Sequence, residues 1–78
     1  MGMSADEKRF MELFAQRMRQ GLRYSGRRMT QHRLAEVTGV HYSTISRYAR
    51  AKRMPSAAHA AAIAGALGVD AGWLLGVK

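Results

Sequence analysis

The segment from Thr30 to Arg50 consists of two short helical patterns that meet at a single glycine, Gly39. In the first pattern, four side chains fall on one side of a helix: Leu34, Ala35, Val37 and Thr38. In the second pattern, three side chains fall on one side of a helix: Ile45, Tyr48 and Ala49. Each pattern predicts a helix that buries one stripe. Because glycine tolerates the left-handed conformation that ends a helix, Gly39 predicts a sharp turn between two helices that cross at a steep angle.

The second of these helices has two faces of different chemistry. Opposite its apolar stripe lies an arc of hydroxyl-bearing and cationic side chains: Tyr42, Ser43, Ser46, Arg47 and Arg50. No carboxylate lies on this arc, so it suits a negatively charged surface that is rich in hydrogen-bond acceptors, such as DNA. Two helices in this arrangement form a helix-turn-helix motif.

The basic residues are concentrated on and beside this segment. The chain has a formal net charge of +8, and ten of its 13 Lys and Arg residues lie between Arg17 and Arg53, where Glu36 is the only acid. Most of them are arginine, which makes bidentate contacts to phosphate and guanine. Charged residues kept only for solubility usually include both signs and are spread along the chain. The distribution therefore favours a nucleic acid as the partner.

The chain is short and has no cysteine. Its 78 residues predict one domain, spanning 1–78, near the size at which a single core is only marginally stabilising. Without cysteine neither a disulfide nor a thiolate metal site can form, so we expect a cytoplasmic protein that is nucleoid-associated when bound to DNA. The most apolar segment, Ala57 to Val69, is interrupted by His59 and is too short to span a bilayer. We therefore expect no membrane partner.

Capping residues and glycines divide the chain into five predicted helices, at about residues 5–24, 31–38, 42–50, 57–67 and 71–75. Four residues are predicted N-caps, because their side chains can accept a hydrogen bond from an amide of the first turn: Ser4, Thr30, Ser56 and Asp70. Gly39, Gly68 and Gly76 are predicted to end helices. No segment alternates with period two, so the predicted fold is all-α, five compactly packed helices without a sheet.

Three local matches, in order along the chain, resemble the small helix-turn-helix domains of phage repressors, Cro proteins and Xre-type regulators. The first runs from Thr30-Gln31 through Leu34-Ala35 to Gly39-Val40, and the second is Ser43-Thr44-Ile45-Ser46-Arg47-Tyr48. The third begins at Pro55-Ser56 and continues through Ile63-Ala64, Ala66-Leu67-Gly68-Val69 and Trp73-Leu74-Leu75-Gly76. The resemblance covers roughly residues 17–76. It implies a lambda-repressor-like fold in which the third helix enters the major groove of DNA and the second lies across the backbone.

The resemblance also implies roles for individual residues. Four positions match residues that face base edges: Tyr42, Ser43, Ser46 and Arg47. Gln31 matches a glutamine that touches phosphate and braces the recognition helix. By its chemistry, Arg47 is expected to bind O6 and N7 of guanine, and the Tyr42 ring to meet a thymine methyl group or donate to phosphate. Five cations are expected to contact phosphates, which positions the protein on DNA without reading the base sequence: Arg27, Arg28, Arg50, Lys52 and Arg53.

The chain departs from the family pattern in the loop before Met29 and at both ends of the third helix, where Ala49 replaces the usual acid. The loop before Met29 is longer by Arg27 and Arg28, for which we predict an additional contact to the DNA backbone or minor groove. His41 stands where the family usually has a serine or threonine cap, and Ala51 stands where a glycine usually follows the third helix. We therefore expect the last turn of the recognition helix to fray or to extend.

These patterns predict a double-stranded DNA-binding transcriptional regulator, a repressor that acts as a homodimer on a pseudo-palindromic operator. The expected dimer contact lies at the C-terminal end, at Trp73, Leu74 and Val77. The alternative function is that of an antitoxin or anti-repressor-like interaction module whose main partner is another protein. Binding to DNA without a partner at moderate salt would distinguish the two functions.

No enzymatic function is expected. The histidines His32, His41 and His59 lack the spacing of a helical metal pair, and neither cysteine nor a carboxylate cluster accompanies them. No arrangement of nucleophile, base and orienting group is visible. We therefore predict no metal, no cofactor and no small-molecule ligand.

Overall fold

The computed structural model describes Gly2 and residues 4–78, and in that part of the chain it contains five helices and no strand. The helices are α1 (Ala5–Tyr24), α2 (Gln31–Thr38), α3 (Tyr42–Ala49), α4 (Ala57–Leu67) and α5 (Ala71–Leu75). The predicted all-α, five-helix architecture is confirmed. Helix α3 ends at Ala49, one residue before the predicted end, because Arg50 has left the helical conformation and serves as its C-cap.

The four predicted N-caps are confirmed. The hydroxyl groups of Ser4, Thr30 and Ser56 each accept a hydrogen bond from the amide three residues further on, at 3.1 Å. Glu7 completes a capping box by accepting from the Ser4 amide. At α5, Oδ1 of Asp70 accepts from the amide of Trp73 at 2.9 Å. This hydrogen bond is the largest cause that lowers the pKa of the Asp70 carboxyl below its ordinary value, and the hydrogen bond from the Lys78 ammonium is the second.

All five helices contribute to one core. Its largest fully buried side chains are Phe14 and Met18 of α1, Leu34 of α2, Ile45 and Tyr48 of α3, Ile63 and Leu67 of α4 and Leu74 of α5. α1 packs against α3, α4 and α5, while α2 packs against α3 and α4. Because α2 and α3 contact each other and are both held by longer helices, the α2–α3 pair is fixed on the core as one unit.

The prediction for Val37 is wrong: its side chain is 45% exposed rather than on the buried side of α2. In a helix, Val37 is rotated by about 60° from Leu34 in one direction, and Thr38 by about 40° in the other. The residues that face the core or its edge are Leu34, Thr38, Ala35 and Gln31. The stripe they form is centred on the side of Leu34 away from Val37, which leaves Val37 in solvent.

The C-terminal end of α3 neither frays nor extends. The amide of Ala51 donates to the carbonyl of Tyr48 at 3.1 Å, and the amide of Lys52 donates to the carbonyl of Arg47 at 2.8 Å. These are the two hydrogen bonds of a Schellman motif, which needs a left-handed residue just after the C-cap. That residue is Ala51, at φ 56°. An alanine therefore adopts a conformation that usually requires glycine.

Replacing Ala51 with glycine is expected to stabilise the protein. The left-handed conformation costs an alanine about 1–2 kcal/mol, and the greater freedom of glycine in the unfolded chain offsets about 0.4–1 kcal/mol of the relief. We therefore expect Ala51→Gly to raise the free energy of unfolding in urea by about 0.5–1 kcal/mol. The matched control is Ala61→Gly, at an exposed helical position of α4, which should lower it by about 1 kcal/mol. Equal destabilisation by the two changes would contradict the assignment of strain to Ala51.

Candidate nucleic-acid interface

The turn between α2 and α3 has the predicted glycine geometry. Gly39 has φ 74°, and its amide donates to the carbonyl of Ala35 at 2.9 Å. Thr38 then joins the helix to the turn: its hydroxyl donates to the carbonyl of Leu34 at 2.7 Å and accepts from the amide of Val40 at 3.2 Å. Val40 is buried in the core. The crossing of the two helices is thus set by a left-handed glycine and a buried valine within two residues.

The start of α3 is capped by histidine in place of the usual hydroxyl residue. Nδ1 of His41 accepts from the amide of Ser43 at 3.1 Å, and Oγ of Ser43 lies 2.8 Å from the same nitrogen. The same imidazole nitrogen therefore lies against both the amide and the side chain of Ser43 at the start of α3.

The four residues predicted to face bases lie together on the outer side of α3. Tyr42 and Arg47 are exposed, and Ser43 and Ser46 are half-buried at the helix surface. The opposite side of the helix is in the core, where Ile45, Tyr48 and Ala49 are each less than 5% exposed. The outer face of α3, defined as Tyr42, Ser43, Ser46, Arg47 and the C-cap Arg50, carries no acid. Glu36, the nearest acid along the chain, is on α2 and pairs with Arg33 at 3.4 Å.

Tyr48 anchors α3 to two other helices. Its ring meets that of Phe14 on α1 edge to face, with centroids 5.6 Å apart and an interplanar angle of 78°. Its hydroxyl oxygen is hydrogen-bonded to Nδ1 of His59, in the first turn of α4, at 2.7 Å. Arg19 of α1 adds a third attachment, because its guanidinium donates to the carbonyl of Ala49 at the C-terminal end of α3. The direction of the outer face of α3 is therefore determined from both α1 and α4.

A basic hollow of about 350 Å³ lies beside the start of α2. It is lined by Arg19, Leu22, Arg23, Arg28, Met29, Thr30 and Gln31, without an acid. Two predicted phosphate-contacting residues, Arg28 and Gln31, therefore share one concave surface with Arg19 and Arg23, which the sequence analysis did not select. The N-terminus of α2 adds the partial positive charge of its unpaired amides to this surface.

The loop after α3 supplies a second group of cations. Lys52 and Arg53 are both exposed and follow the Schellman motif directly. Arg50 is also exposed, and its Nε lies 3.4 Å from the carbonyl oxygen of Ser46, so its side chain runs back along α3. The two groups thus lie at opposite ends of the α2–α3 unit along the chain, before α2 and after α3.

Arg27 lies apart from the other predicted phosphate ligands. Its guanidinium donates to the carbonyl of Gly65 at 2.9 Å, and its side chain covers Gly68, where an added Cβ would lie 3.2 Å from Cδ of Arg27. Both glycines are at the C-terminal end of α4, whereas Tyr48 of α3 meets α4 at His59, near its N-terminal end. Arg27 therefore connects the loop before α2 to α4.

The C-terminal residues predicted to form a dimer contact differ in their surroundings. The inclusion of Leu74 is wrong, because its side chain is 0% exposed in the core of its own chain. Trp73 is half-buried beside Arg17, whose guanidinium carbon lies 5.2 Å from the ring centroid and which donates to the Trp73 carbonyl. Val77 is 74% exposed, while its amide donates to the carbonyl of Gly72 at 2.9 Å. Its side chain therefore projects from a fixed backbone.

Three residues of this region were missed by the sequence analysis: Arg19, His32 and His59. His32 is stacked on Tyr42, with ring centroids 3.8 Å apart. Each acts through a contact between different helices, and the hydrophobic period of a helix does not indicate which polar surface residue reaches a neighbour. The same applies to Arg23, whose part in the basic hollow follows from the position of α1 beside α2.

A family model described as helix-turn-helix matches residues 26–74, which is more than half of the chain. The chain belongs to the Xre/Cro/lambda-repressor type of helix-turn-helix proteins. It is accordingly a DNA-binding regulator whose partner is double-stranded DNA, and its family is not enzymatic. The match includes α2, the turn, α3, α4 and most of α5. No curated protein and no solved structure matches the chain.

Neither a metal site nor a membrane-spanning helix is found among the described residues. They contain no group of three or more His, Cys, Asp or Glu side chains that could hold a metal ion. None of the described helices is long and apolar enough to cross a membrane.

Removing the hydroxyl group of Tyr48 is expected to weaken the attachment of α3 to α4. We expect Tyr48→Phe to lower the free energy of unfolding by about 1–2 kcal/mol, because the hydrogen bond is lost and a partly buried histidine nitrogen is left without its partner. Chemical denaturation measures the effect. Tyr42→Phe, on the exposed face of the same helix, is the matched control and should change stability by less than about 0.5 kcal/mol. Equal stability of Tyr48→Phe and the unmodified protein would contradict this role.

Proposed function

We propose that residues 1–78 act as one DNA-binding domain of a transcriptional repressor, which reads an operator by inserting the outer face of α3 into the major groove. The observation that carries the proposal is the acid-free outer face of α3, fixed on the core by Tyr48 and Arg19. A major groove admits an α-helix and presents a distinct set of donors and acceptors for each base pair. A helix that is held in one orientation on the core is suited to reading such a pattern.

The side chains of the outer face have complementary capacities. Arg47, exposed in the last turn of α3, can donate two hydrogen bonds to O6 and N7 of one guanine. The hydroxyl oxygen of Ser43, which lies 2.8 Å from Nδ1 of His41, can accept from the amino group of adenine or cytosine. Ser46 retains both donor and acceptor capacity. Tyr42, at the start of α3, is the candidate for contact with a thymine methyl group or for donating a hydrogen bond to an acceptor on the DNA.

The two groups of cations suit phosphates of the DNA backbone. The hollow that contains Arg23, Arg28 and Gln31 lies beside the start of α2, and Arg50, Lys52 and Arg53 follow at the end of α3, so the two groups are candidates for phosphates at two places along the duplex. Contacts of this kind fix the register of the protein on the duplex without carrying sequence information. Arg27 donates one guanidinium N–H to the Gly65 carbonyl, and its remaining donors are available for the phosphate contact that we propose for it.

The proposed homodimer is supported by the small surface that a single module can bury on DNA. One module of this size buries little surface, and two copies on a pseudo-palindrome bring the affinity into the range of specific regulators. The C-terminal end suits such a contact, because Val77 is exposed and the charges of Asp70 and Lys78 pair there at 3.2 Å. Occupation of the operator by the dimer would exclude polymerase, in the cytoplasm where the DNA lies.

The base-reading and phosphate-contacting roles can be separated by two substitutions. Arg47→Ala should cost roughly 1–3 kcal/mol on the selected operator and relax the preference at one base pair, because a bidentate base contact is lost. Arg53→Ala should weaken binding to all sequences alike and reduce the slope of log K against log salt by about one unit. Operators are first obtained by selection from random duplexes, and affinities are then measured for operator and random DNA over a range of salt.

Each substitution is the control for the other, since both remove one exposed arginine from the same region. If the two changes weaken operator and random DNA equally, α3 is not the recognition helix. The same experiment tests the interaction-module alternative: if the purified protein shifts no duplex at moderate salt without a partner, that alternative is favoured.

The proposed dimer predicts two chains on each operator. Sedimentation of the complex should give that stoichiometry, with half-sites about 34–36 Å apart. Val77→Asp should make the two half-sites fill independently, with a single chain on the operator at intermediate protein concentrations, because two carboxylates would be placed at a shared apolar contact. Ala61→Asp, at an exposed position of α4, is the control and should leave the dimer intact. A single chain both in solution and on DNA would overturn the dimer.

A further inference from the structure

His32 and Tyr42 form a stacked pair across the helix-turn-helix unit. Their ring centroids are 3.8 Å apart, and the interplanar angle is 0°. His32 is the second residue of α2, and Tyr42 is the first residue of α3. Both are exposed, so the stack lies on the surface rather than in the core. This contact is absent from the roles that family resemblance assigns, which place the bracing residue at Gln31.

The geometry of the stack is fixed from both sides. Thr30 caps α2 two residues before His32, by accepting from the Arg33 amide at 3.1 Å. His41 caps α3 immediately before Tyr42. The backbones that carry the two rings are therefore held at the first turn of each helix, and Gly39 and Val40 set the relation between the helices. The rings meet where the two capped helix starts approach each other.

The stack changes what Tyr42 can do. An exposed tyrosine alone would sample several positions about its two side-chain torsions, and binding would have to immobilise it. With one face of its ring against His32, the side chain is held in one orientation, while its edge and hydroxyl group remain available, consistent with its 40% exposure. A group that is oriented before binding discriminates between base pairs more sharply than one that must be ordered on contact.

We propose that His32 is a positioning residue for base recognition, which orients Tyr42 toward one base pair at the start of α3. The inference rests on the proposed function, because it assigns the source of specificity within the same recognition face. It predicts that His32 acts through its ring and not through a hydrogen bond or charge directed to DNA. A planar ring without either property should therefore replace it.

The test compares five variants on a set of duplexes that differ from the selected operator at one base pair each. His32→Ala and Tyr42→Ala should lose roughly three- to tenfold of the discrimination at the same base pair, as expected when one side chain is no longer ordered in advance. The double variant should lose no more than either single change. His32→Phe should retain the discrimination. Val37→Ala, at another exposed position of α2, is the control and should behave as the unmodified protein.

The stack itself is measured in the free protein by NMR, since an aromatic neighbour shifts the ring protons of Tyr42. His32→Ala should remove this shift, with the circular dichroism of the five helices unchanged. The proposal is overturned if His32→Ala keeps the discrimination, if His32→Phe loses it, or if the losses of the single variants add. A protein that selects no sequence at all, even with the stack present, would instead contradict the proposed function and the inference with it.

Discussion

The ring of Tyr48 contacts two helices at once, packing edge to face on Phe14 of α1 and sharing a hydrogen bond with His59 of α4. This contact orients α3, and the other features of the recognition surface depend on that orientation. Rotation of α3 about its own axis by one residue position could move Tyr48 to the direction that Arg47 now occupies, toward solvent, at a cost of roughly 1.5–3 kcal/mol for the exposed aromatic side chain alone. The apolar side of the helix therefore specifies which residues can meet DNA.

The second constraint is electrostatic. Ten of 13 cations lie between Arg17 and Arg53, yet they do not all serve one purpose. Arg17, Arg19 and Arg27 donate to backbone carbonyls of other segments, the first two at the ends of α5 and α3. Cations near helix C-termini also interact favourably with the helix dipole. Under the proposed function, the cations before α2 and after α3 contact phosphates, so the same arginine-rich composition would both assemble the helices and attract DNA.

Local chemistry explains why much of the fold was predictable. Ser4, Thr30, Ser56 and Asp70 cap helices through atoms within three residues of themselves, and Gly39 is defined by its own φ, so neighbouring sequence suffices to place them. The errors concern the direction of a side chain relative to other helices. Val37 lies just outside the stripe that α4 and α3 cover, and Leu74 belongs to the core rather than to a dimer surface. The His32–Tyr42 stack and the Arg27–Gly65 bond join residues ten and 38 positions apart, and no periodic pattern encodes such distances.

The central claim is that the outer face of α3 is the surface that reads DNA. The most direct measurement is an NMR titration of the protein with a selected operator duplex, in which intermolecular contacts between side-chain and base protons are observed at moderate salt. We expect contacts from Tyr42, Ser43, Ser46 and Arg47 to major-groove protons, with changes in amide chemical shift that extend to the start of α2 and to Lys52 and Arg53. Contacts that arise instead from the first half of α1 or from α5, with α3 unperturbed, would contradict it.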